Sequence, residues 1–303
     1  MYLTSFLCFC LYTLTVLSLL AKWLPPLRAS VLAYGKLSST ADRPRSWFES
    51  RLAQITVPKF WFAHFYLVGF TFAVYCCLEI STWHWAQVKG PLLKLLFTWD
   101  DVEQDGNRVR ATECLASLHL FTAHLARRLY ESYYVERPSG TARMHIFHYL
   151  AGLGFYGAVV FATWIEGIAN LGFKDEEGLN LSCAIPAILL FIYASKHQHA
   201  CHCILASLRN DDSSSKQQRY GIPRGDWFET IVAPHYLADI LIYASLCILH
   251  RFQNRVLLCA LIWTVINLSI TASETRVWYQ KTFGDKYKAA FPRGRWTIIP
   301  FLY

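Results

Sequence analysis

Long apolar stretches alternate with shorter polar segments along all 303 residues of the chain. A membrane-spanning helix needs roughly 17–25 mainly apolar residues. Seven stretches have this character, at 3–22, 60–80, 112–130, 146–170, 181–199, 234–250 and 256–273. The pattern therefore predicts an all-α polytopic membrane protein of about seven transmembrane helices, folded as one integral membrane domain over 1–303.

Three of these stretches need comment. The third is the most polar, because it contains Glu113, His119 and His124 and ends in an arginine pair. The fifth carries Pro186, which is tolerated where neighbouring helices satisfy the freed backbone groups. The first lacks the positive n-region and the small-residue cleavage site of a signal peptide, so we expect a retained anchor.

Composition supports the membrane class. Hydrophobic residues make up 54% of the chain and charged residues only 17%, whereas a soluble domain has about 25% charged residues. The ten cysteines do not indicate a disulfide framework. Seven of them lie within or beside the apolar stretches, where cysteine acts as a small hydrophobic residue: Cys8, Cys10, Cys76, Cys77, Cys114, Cys247 and Cys259.

Charges between the spans predict the orientation. Basic segments occur at 22–59, 127–143, 209–224 and 276–295, and acidic segments at 100–105 and 175–177. This alternation is what the positive-inside rule expects, and it predicts a cytosolic C-terminal tail, a cytosolic 200–233 loop and Met1 on the opposite face. The net charge of +8 follows from this asymmetry and does not indicate nucleic acid binding.

The third span carries the first candidate site. His124, Arg128 and Glu131 are spaced i, i+4 and i+7, so they share one helix face. Ionisable residues inside a bilayer are costly and are functional candidates by default. The alternative is that Arg127 and Arg128 reach the cytosolic interface and Glu131 pairs with one of them.

A second polar cluster follows in H-Q-H-A-C-H-C, residues 197–203. Imidazole and thiolate are zinc ligands, but the run lacks the second ligand pair of a structural zinc site. We therefore expect a polar helix end that leads to Arg209, and no metal site.

The C-terminal third adds basic and aromatic groups. Asp239 is predicted to lie one turn inside the sixth span, behind His235 and Tyr236. The tail P-R-G-R-W-T-I-I-P-F-L-Y, residues 292–303, is too apolar to lie free in water, so we expect it to dock, with Arg293 and Arg295 suited to an anion. No Gly-rich phosphate motif is present.

These pieces resemble the steroid 5α-reductase family, and within it the polyprenol reductases of dolichol synthesis. The matching motifs are V-P-K-F-W-F-A-H-F-Y (57–66), H-L-A-R-R-L-Y-E (124–131), H-Q-H-A-C-H-C-I-L-A-S-L-R (197–209), I-P-R-G-D-W-F-E (222–229), A-P-H-Y-L-A-D-I-L-I-Y (233–243) and the tail at 292–303. The part from about 145 to 303 is the most family-like.

The resemblance implies NADPH-dependent reduction of the α-isoprene C=C bond of polyprenol or polyprenal to dolichol or dolichal, which feeds dolichol phosphate synthesis for protein N-glycosylation. It also implies a multi-pass protein of the endoplasmic reticulum membrane, with a long polyprenoid lipid as substrate and oligomeric state open. The implied catalytic residues are His124, Arg128, Glu131 and Tyr279. The implied cofactor-binding residues are Arg209, His235, Tyr236, Asp239, Arg276, Arg293 and Arg295.

One departure bears on the substrate. Steroid-reducing relatives carry a tyrosine directly after the position of His124 as proton donor, and Leu125 stands there in this chain. The steroid proton-delivery pair therefore does not transfer, which favours a substrate other than a steroid and leaves the catalytic acid unassigned.

Three alternatives remain open at this point. The segment 274–295 also resembles the tail of isoprenylcysteine carboxyl methyltransferases, which use S-adenosylmethionine, and Glu274, Gly284 and Tyr287 fit that pattern. A steroid 3-oxo-5α 4-dehydrogenase is the second alternative, and a non-enzymatic membrane scaffold is the third.

Overall fold

The structure is a computed structural model that describes residues 2–24, 54–99, 109–137, 142–171, 178–209 and 220–300. Helices account for most of these residues. In chain order they are α1 (Tyr2–Trp23), α2 (Phe62–Ala86), α3 (Pro91–Trp99), α4 (Ala111–Tyr130), α5 (Ile146–Ala162), α6 (Leu181–Ser207), α7 (Pro234–Leu249), α8 (Arg255–Phe283) and α9 (Asp285–Ala290). Two short strands, β1 (Thr56–Pro58) and β2 (Arg143–His145), and a few short 3₁₀ and π-helical turns are the other regular elements in these ranges.

Seven of the helices lie over the seven predicted stretches, so the all-α prediction is confirmed. By length and composition, four segments of the described chain are able to cross a membrane: Tyr2–Trp23, Lys59–Ala86, Ile146–Asn170 and Arg255–Phe283. The helices α4, α6 and α7 are more polar or shorter, and the count of seven spans stays a prediction. The sequence pattern did not indicate α3 or α9.

Several helices are longer than their apolar stretches. One of them is α6, which continues eight residues past the predicted end at 199 to Ser207. Polar residues extend this helix because they have partners inside the protein: His199 and His202 both contact the Glu131 carboxylate. A prediction from apolar stretches stops where polar residues begin, so it does not include such an extension of the helix.

The helices pack as a bundle in which α2 lies against α4 and α5, α6 lies along α7, and α8 contacts α1 and α7. A glycine permits the closest approach of α5 to α2. A Cβ atom on Gly152 would lie 2.6 Å from the Phe65 ring, so a larger residue would push the two helices apart.

Two backbone pairings close the same end of the bundle. Strands β1 and β2 are antiparallel, with Val57 opposite Met144, and they join the start of α2 to the start of α5. Farther along the chain, Trp296 forms a parallel bridge with Ile231, and its carbonyl accepts from the Val232 N–H at 2.8 Å. The predicted docking of the tail is confirmed for residues 292–300.

Some sequence predictions fall outside the described residues. The segments 25–53, 100–108, 138–141, 172–177 and 210–219 contain most of the loop charges behind the predicted orientation, and 301–303 contains the end of the tail. The cytosolic position of the tail therefore stays a prediction.

Candidate functional site

A cavity of about 380 Å³ lies among α2, α4, α5, α6, α7 and α8. Its volume is in the range of small-molecule sites, about 300–1,000 Å³. Aromatic side chains form much of its wall, namely Phe60, Phe62, Phe65, Phe155, Tyr156, Trp263 and Trp278. An aromatic wall with a few converging polar groups is typical of a ligand site.

The cavity brings together part of the predicted site. The predicted residues on its wall are Arg128, Arg209, His235, Tyr236, Asp239 and Tyr279. The predicted residues outside its wall are His124, Glu131, Arg276, Arg293 and Arg295. His124 and Glu131 lie directly behind Arg128 and are described next; the three tail-side arginines lie elsewhere.

Arg128 is the central charged group of the wall. Its guanidinium donates to the Tyr66 hydroxyl at 2.8 Å and to the Glu136 carboxylate at 2.8 Å, and it forms an ion pair with Glu131. Only 8% of its side chain is exposed. A buried guanidinium held by two carboxylates is a rigid, charged feature of the site.

Glu131 is fully buried and has four basic neighbours. Arg127 donates to one carboxylate oxygen at 2.6 Å, His199 and His202 lie 2.8 Å from the two oxygens, and Arg128 completes the set. Burial disfavours a charged carboxylate, and these four neighbours compensate for its desolvation with hydrogen bonds and positive charge. The sequence alternative has Glu131 pair with one of the two arginines, and in the structure it pairs with both.

Glu136, just after the Glu131 turn, is a second carboxyl group with basic neighbours. Burial raises the pKa of its carboxyl, but Arg128 and then His202 outweigh it and lower that pKa from its usual value. Oxygen and nitrogen atoms of Glu131, Glu136 and His202 lie within 4.8 Å of one another, as metal ligands do. The two guanidinium groups on Glu131 already supply the positive charge that a metal ion would bring, so we interpret the cluster as an ion-pair network.

A second line of contacts leads from His124 to Asp239. His124 is 1% exposed and its Nδ1 lies 3.2 Å from the Arg127 guanidinium. Arg127 also donates to the Gln198 carbonyl oxygen, and Gln198 donates to Asp239 at 2.9 Å. These bonds hold Asp239 at the cavity wall, which explains a carboxylate one turn inside α7.

The histidines and cysteines of 197–203 point to different neighbours. His197 contacts the Asp226 carboxylate at 2.7 Å and stacks on Trp227. His199 and His202 contact Glu131, and Cys201 is buried. The run is a continuous part of α6, as the prediction of a polar helix end required.

Besides Arg128, the basic residues Lys59, Arg137 and Arg209 line the same cavity. They lie at one end of it, because α2 begins after Lys59 while α4 and α6 end shortly before Arg137 and Arg209. Basic groups at the mouth of a cavity with an aromatic wall fit the phosphates and rings of a dinucleotide such as NADPH. The residues present therefore fit the cofactor that the resemblance implies.

Sequence reasoning missed several wall residues. Tyr66, Glu136 and His202 stand in or beside quoted motifs but were not selected. On α8 the wall residues Thr264, Asn267, Thr271 and Thr275 recur at helical spacing. This polar stripe in an otherwise apolar span was the available signal.

The tail residues Arg293 and Arg295 lie outside the cavity wall. Arg295 is 6% exposed, donates to the backbone carbonyls of Phe228 at 2.9 Å and Pro223 at 3.3 Å, and lies 3.9 Å from the centre of the Phe291 ring. Arg276 donates to Thr297 at 3.0 Å, and Arg293 is exposed. Arg295 thus ties the tail to the 223–228 segment, while Tyr279 lines the cavity.

Comparison with known proteins decides the family. The family model described as 3-oxo-5-alpha-steroid 4-dehydrogenase matches residues 142–303, which is more than half of the chain. This chain belongs to that family. The segment matched contains α5 to α9 and the tail, and so includes five of the cavity-lining residues predicted from sequence to bind the cofactor or act in catalysis: Arg209, His235, Tyr236, Asp239 and Tyr279.

Several relatives that match most of the chain are named polyprenal reductases. The chain is 30% identical over 295 residues to polyprenal reductase 2 of Arabidopsis thaliana, covering 82% of this chain and 83% of the relative. It is 28% identical to the polyprenal reductase of Xenopus tropicalis, covering 90% and 87%. It is 29% identical to the polyprenal reductase of Saccharomyces cerevisiae, covering 89% and 85%. These relatives favour the reductase prediction over the methyltransferase and scaffold alternatives.

Proposed function

We propose that the protein reduces the α-isoprene C=C bond of a polyprenal with NADPH and gives the saturated aldehyde on the route to dolichol. The observation that carries this is one cavity with an aromatic wall, a basic end and a fixed arginine in between. An aromatic wall suits the isoprene units, and the basic end suits a phosphorylated cofactor.

NADPH, when bound, supplies the hydride for this chemistry. Lys59, Arg137 and Arg209 are placed to hold its phosphates, because all three line one end of the cavity. His235, Tyr236 and Asp239 line the wall at the start of α7 and would contact the cofactor or substrate farther in. Arg276, Arg293 and Arg295 are outside the wall. We propose that Arg276 and Arg295 act on cofactor binding through the fold of the tail.

The chemistry favours an aldehyde over an alcohol. Hydride adds readily to the β-carbon of an enal, because the carbonyl oxygen takes the developing negative charge. A plain allylic alcohol has no such acceptor. Arg128, kept in place by Glu131, supplies positive charge at the wall where that oxygen would lie. His124 and Tyr279 remain proposed catalytic groups. His124 would act through its contact with Arg127, and Tyr279 would act directly from the cavity wall.

The wider context is part of the same proposal. Seven spans with a cytosolic tail would open the basic end of the cavity to NADPH of the cytosol. An endoplasmic reticulum membrane would supply the polyprenoid lipid, and the product would enter dolichol phosphate synthesis for protein N-glycosylation.

Purified protein in lipid should oxidise NADPH when given polyprenal. Polyprenol of the same length and a steroid enone are the comparison substrates. We expect turnover with polyprenal to exceed turnover with either by at least tenfold. Equal or faster turnover of the steroid enone would contradict the proposed substrate class.

A further inference from the structure

Tyr66 is a cavity residue with an unusual hydroxyl environment. It lies on α2, is 5% exposed and lines the cavity. Its ring meets the Tyr156 ring edge to face, with centroids 5.2 Å apart, which fixes the ring plane. The phenol is therefore held with its hydroxyl beside the space that a ligand would fill.

One hydrogen bond defines the direction of the Tyr66 proton. Arg128 donates to the Tyr66 oxygen at 2.8 Å. Among the residues that the structure describes, this is the one hydrogen bond of that hydroxyl. An arginine has no acceptor atom, so the hydroxyl hydrogen has to point elsewhere, and a ligand oxygen in the cavity is an acceptor for it.

The charge next to Tyr66 is fixed. Glu131 and Glu136 both hold the Arg128 guanidinium, and its central carbon lies 4.7 Å from the centre of the Tyr66 ring. When a phenol gives up its proton, negative charge forms on its oxygen. A preorganised cation at hydrogen-bond distance stabilises that charge without any rearrangement.

We propose that Tyr66 is the catalytic acid that donates its proton to the carbonyl oxygen of the substrate. This rests on the proposed function. Hydride adds to the β-carbon, the π electrons move towards the oxygen, and the Tyr66 proton forms the O–H bond of an enol. The enol then takes a proton from water at its α-carbon and returns its O–H proton to Tyr66. The sum is one hydride and one proton added across the C=C bond.

Other tyrosines of the wall are weaker candidates. Tyr243 has a buried hydroxyl without a partner among the described residues, but it lies one turn from Asp239 on α7, and a carboxylate disfavours a phenolate nearby. Tyr279 stacks on Tyr287 with ring centres 5.9 Å apart and lies at the tail side of the cavity. Among the described residues, no buried arginine donates to the Tyr243 hydroxyl.

Infrared spectroscopy of a bound substrate tests the proposal without turnover. The complex would contain the purified protein, NADP⁺ and a polyprenal with ¹³C at its carbonyl, and the carbonyl stretch would be measured. A hydrogen bond from Tyr66 lowers this frequency. We expect Tyr66→Phe to raise it towards the value in lipid alone, while Tyr75→Phe, a tyrosine of the same helix that bonds Glu79 instead, leaves it unchanged.

Kinetics give the second readout. General acid catalysis contributes about 10²–10⁴-fold, so kcat of Tyr66→Phe should fall at least 100-fold while KM stays within about threefold. NADPH binding at the wild-type affinity establishes that the variant is folded. Wild-type kcat, or a carbonyl band unchanged in Tyr66→Phe and shifted in Tyr243→Phe, would overturn the assignment. If the wild-type protein itself neither binds nor reduces polyprenal, the proposed function fails instead.

Discussion

At the scale of single residues, Arg128 connects structure and function most directly. It links Tyr66 in the cavity wall to Glu131 and Glu136 behind the wall. The ion pair has a desolvation cost, but removal of one partner leaves the other charges uncompensated. We infer that the network is kept for the position of the guanidinium rather than for net stability.

Arg128→Gln should therefore lower the free energy of unfolding by about 3–5 kcal/mol, because Glu131 and Glu136 lose a buried partner. Thermal unfolding in detergent measures the change. Arg143→Gln is the control, since Arg143 is exposed and its guanidinium donates to Thr56, and this change should alter the free energy by less than about 1 kcal/mol. Equal unfolding temperatures of the two variants would show that the network contributes nothing.

Residue-level prediction from the sequence succeeded where spacing or a familiar motif identified one side chain. The spacing of Arg128 and Glu131 predicted a shared face, and the two form an ion pair. Tyr66 was not found, although it closes a quoted motif, because its role depends on Arg128, which lies 62 residues later in the chain. A contact of that kind has no periodic signature.

At the scale of elements, apolar patterning located the main helices but not their ends. The polar continuation of α6 to Ser207 depends on the Glu131 network, which belongs to another helix. The short strands β1 and β2 were missed for a similar reason, since each has three residues and is stabilised by pairing with the other. Tertiary contacts determine where such elements form, and these contacts cannot be predicted from local composition.

The tail gives a test at this scale. Arg295→Gln should speed proteolytic cleavage within residues 292–300 roughly tenfold, as expected when local opening costs about 1.4 kcal/mol less. Its two bonds to backbone carbonyls are then lost. The same variant should weaken NADPH binding, because the tail supports the 223–228 segment next to the cavity residues Tyr220 and Gly221.

The matched control is Arg293→Gln, two residues earlier and exposed. We expect it to leave both cleavage and NADPH affinity unchanged within about twofold, the spread of such measurements for surface substitutions. If Arg293→Gln weakened NADPH binding and Arg295→Gln did not, the tail would bind the cofactor directly, in conflict with its position in the fold.

At the scale of the whole molecule, the number of membrane crossings is the property to be measured. Four segments of the described chain meet the length and composition of a span, whereas the sequence pattern predicts seven. The discrepancy comes from α4, α6 and α7, which carry or face the polar network. The helix α7 has 16 residues, which is shorter than any of the four segments, and polar residues lower the hydropathy of α4 and α6. The count of seven spans stays a prediction.

Tags at the two ends of the chain distinguish the counts. Seven crossings place the ends on opposite faces of the membrane, with the C-terminal tag cytosolic, and four crossings place them on the same face. Glycosylation of a tag in microsomes reports the lumenal face. Glycosylation of the N-terminal tag alone is the expected result, and equal glycosylation of both tags would contradict the seven-span topology.

The central claim is that the cavity delivers hydride to the C=C bond of a polyprenal and not to its carbonyl. The most direct measurement uses NADPH with deuterium at the transferable position and mass spectrometry of the product. We predict one deuterium on the β-carbon of the α-isoprene unit and none on the aldehyde carbon. Deuterium on the aldehyde carbon, with the double bond intact, would show that the protein is a carbonyl reductase and would contradict the account.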